Sequence, residues 1–302
     1  MQFYCGRAEP PLIFLHGGAG PMDPSAAGIK KAVEGLQRAV AQSLGAGHQD
    51  LAQVVACLQE LEDDAQFNAG FGSALQADGV PRLTAAVMDG IRQQFSGVIS
   101  ITEVRHPSLL ALALQDASSR VLTGPGHDWL ARHLELPVEN LVTAKRLESW
   151  MGRKKQAIES KTDSCDTVGV IISDRAGQLR VGTSTGGRGF EEPGRISDSG
   201  TVAGTYASSW AAVAATGIGE EIVDDAVAVR IETRVRDGMS LEAACRKTLD
   251  EALARSRSYG WIALDAKGHW CAAHTTPSMS FLLVSDSGKV ISSPFEGVAR
   301  AP

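Results

Sequence analysis

The feature that most constrains this chain is a pair of short runs, 167–172 and 179–187, joined by Ser173-Asp174-Arg175-Ala176-Gly177. The first run is apolar after its opening threonine. The second ends in Thr183-Ser184-Thr185-Gly186-Gly187. β-Branched residues bounded by Asp and Gly predict two strands and a tight connection. Paired antiparallel, they bring Thr167, at the start of one strand, beside Thr185, at the end of the other. Threonine is common in strands because its branched Cβ suits the pleat, so neither residue alone points to chemistry. The downstream sequence changes the reading. Gly194-Arg195-Ile196-Ser197-Asp198-Ser199 supplies an Arg and an Asp three residues apart, and Ala215-Thr216-Gly217-Ile218-Gly219-Glu220 supplies a glycine-rich turn with another threonine.

A chain of 302 residues is long enough for one large α/β domain or two smaller ones. Its 43% hydrophobic and 21% charged residues are ordinary for a globular protein. The net charge of −6, with both signs mixed along the chain, argues against a general nucleic-acid binder. The five cysteines are odd in number and scattered, at 5, 57, 165, 245 and 271. They show no CxxC or Cys/His ligand spacing, which excludes a zinc motif and fits free thiols in a reducing, cytoplasmic compartment. Cys165 lies two residues before Thr167, but no base is identifiable for it. The run Leu12-Ile13-Phe14-Leu15 is too short for a secretory core, and no window reaches the roughly 18 apolar residues of a membrane span.

In the first half, residues 11–16 predict a strand ending in the turn Gly17-Gly18-Ala19-Gly20. No GK[ST] follows and GxGxxG is absent, so this is not a phosphate loop. Asp23-Pro24-Ser25 offers cap chemistry. Ile29, Val33, Leu36, Val40 and Leu44 mark one helix face, and Leu51, Val54, Val55, Leu58 and Leu61 a second. The following loop carries Glu62, Asp63 and Asp64 without the spacing of a calcium loop. Strands are expected over 79–90 and 95–100, and a helix over 109–122. His106, His127 and His133 show no mutual spacing and read as surface or capping residues. Residues 148–166 form a polar run that reads as an exposed linker. Helices are expected over 220–235 and 240–254, then strands over 261–264, 270–273 and 280–284. Such grouping suggests packed layers rather than a wound βαβ sheet.

Seven motifs occur in a fixed order across roughly residues 12–285. They are His16-Gly17-Gly18-Ala19-Gly20, the segment from Leu61-Glu62 to Phe67-Asn68-Ala69-Gly70, Val87-Met88-Asp89-Gly90, Asp166-Thr167-Val168-Gly169, Thr183-Ser184-Thr185-Gly186-Gly187, Gly194-Arg195 with Asp198-Ser199, and Ala215-Thr216-Gly217. Together they resemble the plant-type asparaginase / isoaspartyl peptidase family of N-terminal-nucleophile hydrolases, which includes glycosylasparaginase. The resemblance implies an α+β fold, a four-layer αββα sandwich. It implies one domain over 1–302, cut into 1–166 and 167–302, a homodimer of cut pairs, and an amino-acid or dipeptide substrate.

A hydroxyl is a poor nucleophile until a base takes its proton, and no His/Asp pair lies near Thr167. Breaking the Asp166–Thr167 bond supplies one, because Thr167 then carries an α-amine of pKa about 8. By resemblance the cut is self-catalysed, with Thr167 Oγ attacking the Asp166 carbonyl. Asp166 stands where asparaginases of this family have Gly, as in glycosylasparaginase. The resemblance makes Thr185 the supporting hydroxyl, and Thr216 and Gly217 the oxyanion donors. It places Asn68, Arg195, Asp198, Thr216, Gly217 and Gly219 at the substrate. Arg195 would fork onto an α-carboxylate and Asp198 would meet an α-ammonium, while Gly219 permits the turn. A structural Arg195–Asp198 ion pair is the competing reading. The carbonyls of Leu61, Glu62, Asp64, Phe67, Ala69 and Phe71 would wrap a structural sodium ion, with no cofactor for chemistry. Gly200 after Ser199, and Ile218, depart from the family pattern beside the pocket. The alternatives are a glycosylasparaginase-like amidase and an uncut amino-acid-binding homologue.

Overall fold

A computed structural model describes residues 2–20, 26–45, 50–155, 167–286, 288 and 290–293. In chain order the elements are β1 (Gln2–Arg7), β2 (Leu12–Gly20), α1 (Ala26–Gly45), α2 (Leu51–Asp63), β3 (Leu83–Asp89), β4 (Gln94–Ile101), α3 (Pro107–Ala113), β5 (Val121–Thr123), α4 (Pro125–His133) and α5 (Ala144–Lys155). The hairpin β6 (Val168–Ser173) and β7 (Leu179–Thr185) follows, then β8 (Thr205–Ala207), β9 (Ala211–Gly217), α6 (Gly219–Asp225), α7 (Val227–Arg236), α8 (Leu241–Ala254), β10 (Tyr259–Asp265), β11 (His269–His274), β12 (Ser278–Ser285) and β13 (Val290–Ser292).

The strands form two sheets. One has the order β1-β11-β10-β9-β8, and the other β13-β12-β2-β6-β7-β3-β4-β5. Period-two alternation sorts the side chains of each strand. On β6, Val168, Val170 and Ile172 pack with Leu36, Val54 and Leu58 of α1 and α2. Ile171, on the opposite face, joins Phe14, Val181, Ile262, Leu264 and Phe281 in a cluster drawn from both sheets. There Phe14 meets Trp270 and Phe281 edge-on, each at 6.0 Å between ring centres. On the smaller sheet, Val213, Trp261 and Ala263 pack against Ile231, Ala244 and Leu249 of α7 and α8. Because β6, β7 and β9 are covered on both faces, every residue in them is buried. Helix starts follow local chemistry: Asp50 accepts from Ala52 N at the head of α2, and Ser240 accepts from Ala243 N at the head of α8.

Several expectations need correction. The Gly17-Gly18-Ala19-Gly20 stretch is not a turn after β2 but its continuation, paired with Ser278 and Met279. Gly18 takes φ 116°, and the register slips between Met279 and Phe281, so the glycines accommodate an irregularity inside a strand. Leu44 is exposed rather than core. The helix expected over 109–122 stops at Ala113, and Leu122 belongs to β5. Residues 220–235 form two helices broken at Ala226, which has φ 48°. The first part of the polar run 148–166 is helix α5, which buries no residue but is anchored by side-chain bonds to main-chain carbonyls. Residues 156–166 lie outside the described residues, as does Asp23-Pro24-Ser25. His127 is buried, with Nε2 2.9 Å from Asp128 Oδ1, rather than a surface residue. Among the described residues, no helix is long and apolar enough to cross a membrane.

Candidate active site

Alternation also builds the site. On β7, Leu179 and Val181 face the other sheet, and Thr185 continues that series. On β9, Ala212 and Ala214 do the same, and Thr216 follows. Thr167 precedes β6 in register with Ile171. Since Val168 pairs with Ser184, Thr167 lies beside Thr185 as the hairpin requires. Thr167, Thr185 and Thr216 therefore meet between the sheets, and all are buried. A cavity at this end is lined by Thr167, Thr185, Gly187, Arg188, Arg195, Ser197, Asp198 and Gly217.

Thr216 Oγ1 accepts from Thr167 N at 3.4 Å and from Ala19 N at 3.2 Å. Two accepted bonds fill both lone pairs of a hydroxyl, so its remaining capacity is the one proton it can donate. Thr185 Oγ1 accepts from Gly187 N at 3.1 Å, which ties the end of β7 to the loop that follows.

Arg195 does not pair with Asp198. Its fork closes on Glu220, with Nε to Oε1 at 2.9 Å and Nη2 to Oε2 at 3.1 Å. Burial alone would raise the Glu220 carboxyl, but the bonds and charge of Arg195, helped by Arg188, bring it down to about 2. Asp198 is fully buried. Its Oδ1 accepts from Ser197 Oγ at 3.2 Å, and its Oδ2 has no protein partner. Burial pushes its carboxyl up to about 6, against the pull of Arg195 and Ser197. Gly219 is not needed for a left-handed turn. A Cβ there would lie 2.4 Å from Arg195 Nη2 and 2.7 Å from Asp198 Oδ1, so its missing side chain is what lets the two charged groups approach together.

Asn68 is not among the cavity-lining residues. It lies behind them, with Nδ2 donating to Gly187 O and Oδ1 accepting from Ala74 N at 2.7 Å, while its carbonyl accepts from Gly186 N at 2.9 Å. It thus pins the loop that carries Gly186 and Gly187.

The loop after α2 folds tightly on itself. A Cβ at Gly70 would lie 2.3 Å from Glu62 O, and one at Gly72 would lie 2.0 Å from Phe67 O. Asp64 O and Ala69 O each accept one amide, from Phe67 N and Gly72 N, and Arg146 Nη2 approaches Phe67 O at 3.4 Å. Each carbonyl keeps a second lone pair, the donor chemistry that a hard cation takes, and the Arg146 guanidinium already supplies one positive charge to Phe67 O. Among the described residues there is no cluster of three or more His, Cys, Asp or Glu side chains able to hold a metal.

Sequence reasoning missed Ser197, Gly187, Arg188 and Glu220 as site residues. Glu220 adjoins Gly219, and its charge beside an expected carboxylate clamp was the available signal. It also underused His16. The ring of His16 is fully buried beside Thr167, with both nitrogens lacking a protein partner. Burial lowers it to about 3, with the Thr167 backbone pulling weakly the other way, so the ring is neutral. Gly169 is small because a Cβ there would lie 2.2 Å from His16 Nε2.

A family model described as asparaginase matches residues 9–291. This chain belongs to that family. It is 41% identical over 276 residues to an isoaspartyl peptidase/L-asparaginase of a Nostoc species, an alignment covering 85% of this chain and 86% of that protein. It is 39% identical over 281 residues to a protein of the same name from a Synechocystis species, covering 88% and 85%. A plant-type L-asparaginase of Pyrococcus horikoshii is 31% identical over 295 residues, covering 91% and 96%. Family membership accounts for the order of the seven motifs. It also makes the cavity between the two sheets the place to look for amide chemistry.

Proposed function

We propose that this chain is a threonine amidohydrolase that hydrolyses L-asparagine and isoaspartyl dipeptides and releases L-aspartate, after cutting itself between Asp166 and Thr167. The names of its relatives supply the substrate class. The observation that carries the reading is the 3.4 Å approach of Thr167 N to Thr216 Oγ1, in a cavity that also holds Arg195 and Asp198. Once freed, that nitrogen is an amine held beside a hydroxyl whose own proton points elsewhere. It takes the proton of Thr167 Oγ, which attacks the β-amide carbon. Thr216 and the Gly217 N–H donate to the oxyanion, and Thr185 supports the nucleophile. The amine then protonates the leaving nitrogen, and water opens the aspartyl ester. Arg195 exchanges Glu220 for the α-carboxylate, and the α-ammonium supplies the partner that Asp198 Oδ2 lacks.

The finer architecture we infer is the αββα sandwich of N-terminal-nucleophile hydrolases, supported by one cluster between the sheets and one on each outer side. We carry with it a single domain cut into 1–166 and 167–302, a homodimer of cut pairs in a reducing cytoplasm, and a sodium ion stiffening the loop that positions Asn68. Asp166 lies outside the described residues. Intact mass and amino-terminal sequencing test the central claim. Active protein is expected to yield Thr-Val-Gly, and Thr167→Ala is expected to stay whole and inactive. An active, uncut Thr167→Ala would overturn the assignment. Faster release from glycosylated asparagine than from β-aspartyl-leucine would move the substrate to the glycosylasparaginase class.

A further inference from the structure

Arg188 lies in the wall of the cavity with Thr167, yet nothing in the chemistry above uses it. Its backbone is unusually fixed. It stands between Gly187 at φ 79° and Gly189 at φ 78°, conformations that glycine adopts freely. Asn68 Nδ2 donates to Gly187 O on one side, and Arg153 Nη1 donates to Gly189 O at 2.8 Å on the other. The amide of Arg188 itself donates to Glu191 Oε1 at 3.2 Å. The peptide group before Arg188 is thus held through both its carbonyl and its N–H, and the one after Gly189 through its carbonyl, which restricts where the side chain leaves the loop. Arg188 Nη1 meets Glu220 Oε2 at 3.0 Å, the same oxygen that Arg195 Nη2 meets at 3.1 Å. Glu220 is half exposed and Arg188 is partly exposed, whereas Arg195 is more deeply set. An ion pair open to solvent is worth little and exchanges readily for another carboxylate.

We infer that Arg188 is a specificity-determining residue that binds the α-carboxylate of the leaving amino acid in a β-aspartyl dipeptide. The inference rests on the amidohydrolase reading above and deepens it. A β-aspartyl dipeptide carries two carboxylates roughly 7 Å apart in extended form. Arg188 and Arg195 reach one Glu220 oxygen from two directions, at 3.0 and 3.1 Å, so displacing Glu220 leaves two adjacent cations for two carboxylates, the deeper one taking the aspartyl carboxylate and the outer one the leaving group's. Asparagine releases ammonia and offers Arg188 nothing. Arg188 therefore separates peptidase from asparaginase activity in one site.

The test compares kcat/KM for β-aspartyl-leucine, β-aspartyl-leucinamide and L-asparagine on cut wild-type protein and on Arg188→Gln and Arg188→Lys. Wild type is expected to prefer the free acid to the amide by at least about ten-fold, mostly in KM. Arg188→Gln should remove most of that preference and lower asparagine turnover far less. Arg188→Lys should keep part of the preference, because a point charge replaces a fork. Equal losses on all three substrates would mean that Arg188 only braces Glu220 and Arg195, and would overturn the inference. So would a wild type indifferent to the terminal carboxylate, a result that needs no variant to fold. Hydrolysis of none of the three by wild type would instead bring down the functional reading itself.

Discussion

At the scale of single residues, the site is a set of buried polar groups arranged around partners that a substrate would bring. Asp198 shows this most directly. A carboxylate with one oxygen unpartnered in the interior is costly, and burial accordingly holds its proton up to about pH 6. Above that pH it is ionised and ready to meet an ammonium, and below it the charge is gone. The inhibition constant of L-aspartate is therefore expected to rise as pH falls through about 6. Asp198→Asn should weaken inhibition at pH 7.5 by at least about ten-fold and flatten the pH dependence. Inhibition that strengthened on acidification would contradict the role. Of these residues, Thr167 and Thr185 were legible in the sequence, because period-two alternation and a short connection bring the two strand ends together. The clasp of Arg195 on Glu220 was not. Two residues 25 apart, with β8 and β9 between them, share no local pattern.

At the scale of elements, α2 and α3 are joined by a buried acid. Glu62, near the end of α2, accepts from Ser108 N at 3.2 Å and Ser108 Oγ at 2.8 Å in the first turn of α3. Burial raises its carboxyl to about 8, although Ser184 and Ser108 pull it down. The folded protein thus keeps a proton that the unfolded chain releases near the ordinary value of 4.5. Its contribution to stability is fullest below about pH 4.5 and is lost as pH rises towards 8. Urea unfolding of Glu62→Gln is expected to show a flatter decline in stability between pH 5 and 8 than wild type. An unchanged decline would show that Glu62 is ionised in the fold over that range. A helix expected to run to residue 122 ends at Ala113. Two further strand residues, Val121 and Leu122, pair in parallel with Gly97 and Val98, and tertiary pairing overrides the apolar spacing of Leu109 and Leu114. Residues 148–155 of helix α5 were read as linker for a related reason. The helix's apolar residues Leu147, Trp150 and Met151 are spaced as one face but are not buried, and its hold on the fold comes through Arg146, Trp150 and Arg153 reaching main-chain oxygens of distant loops.

At the scale of the whole molecule, the two pieces that a cut at Thr167 would create are interleaved. In the larger sheet β2 lies between β12 and β6, and β3 pairs with β7, so a first-piece strand is inserted between second-piece strands and the two pieces share three strand borders. In the smaller sheet β1 pairs with β11. The inter-sheet cluster draws Phe14 from the first piece and Trp270 and Phe281 from the second. Cleavage therefore leaves the core intact. Cut protein is expected to elute as one species in native gel filtration and to separate into two chains only in denaturant. Release of either chain under native conditions would contradict this topology.

The sequence by itself determined the family, five of the helical stretches and eight strands, including the hairpin β6–β7, because alternation, helical spacing and ordered motifs are local properties that survive without coordinates; it did not reveal β1, β5, β8, β13 or β9, whose end carries Thr216. It also brought Thr167 beside Thr185, since one hairpin is enough to do so. Only the tertiary structure decided that their shared face looks onto the second sheet rather than the helices. It alone set Thr216 against Thr167 N, aligned Arg188 and Arg195 on one carboxylate, and made glycine necessary at 169 and 219. Those outcomes depend on which surfaces pack face to face, and that is fixed by the burial of the whole chain rather than by any stretch of it.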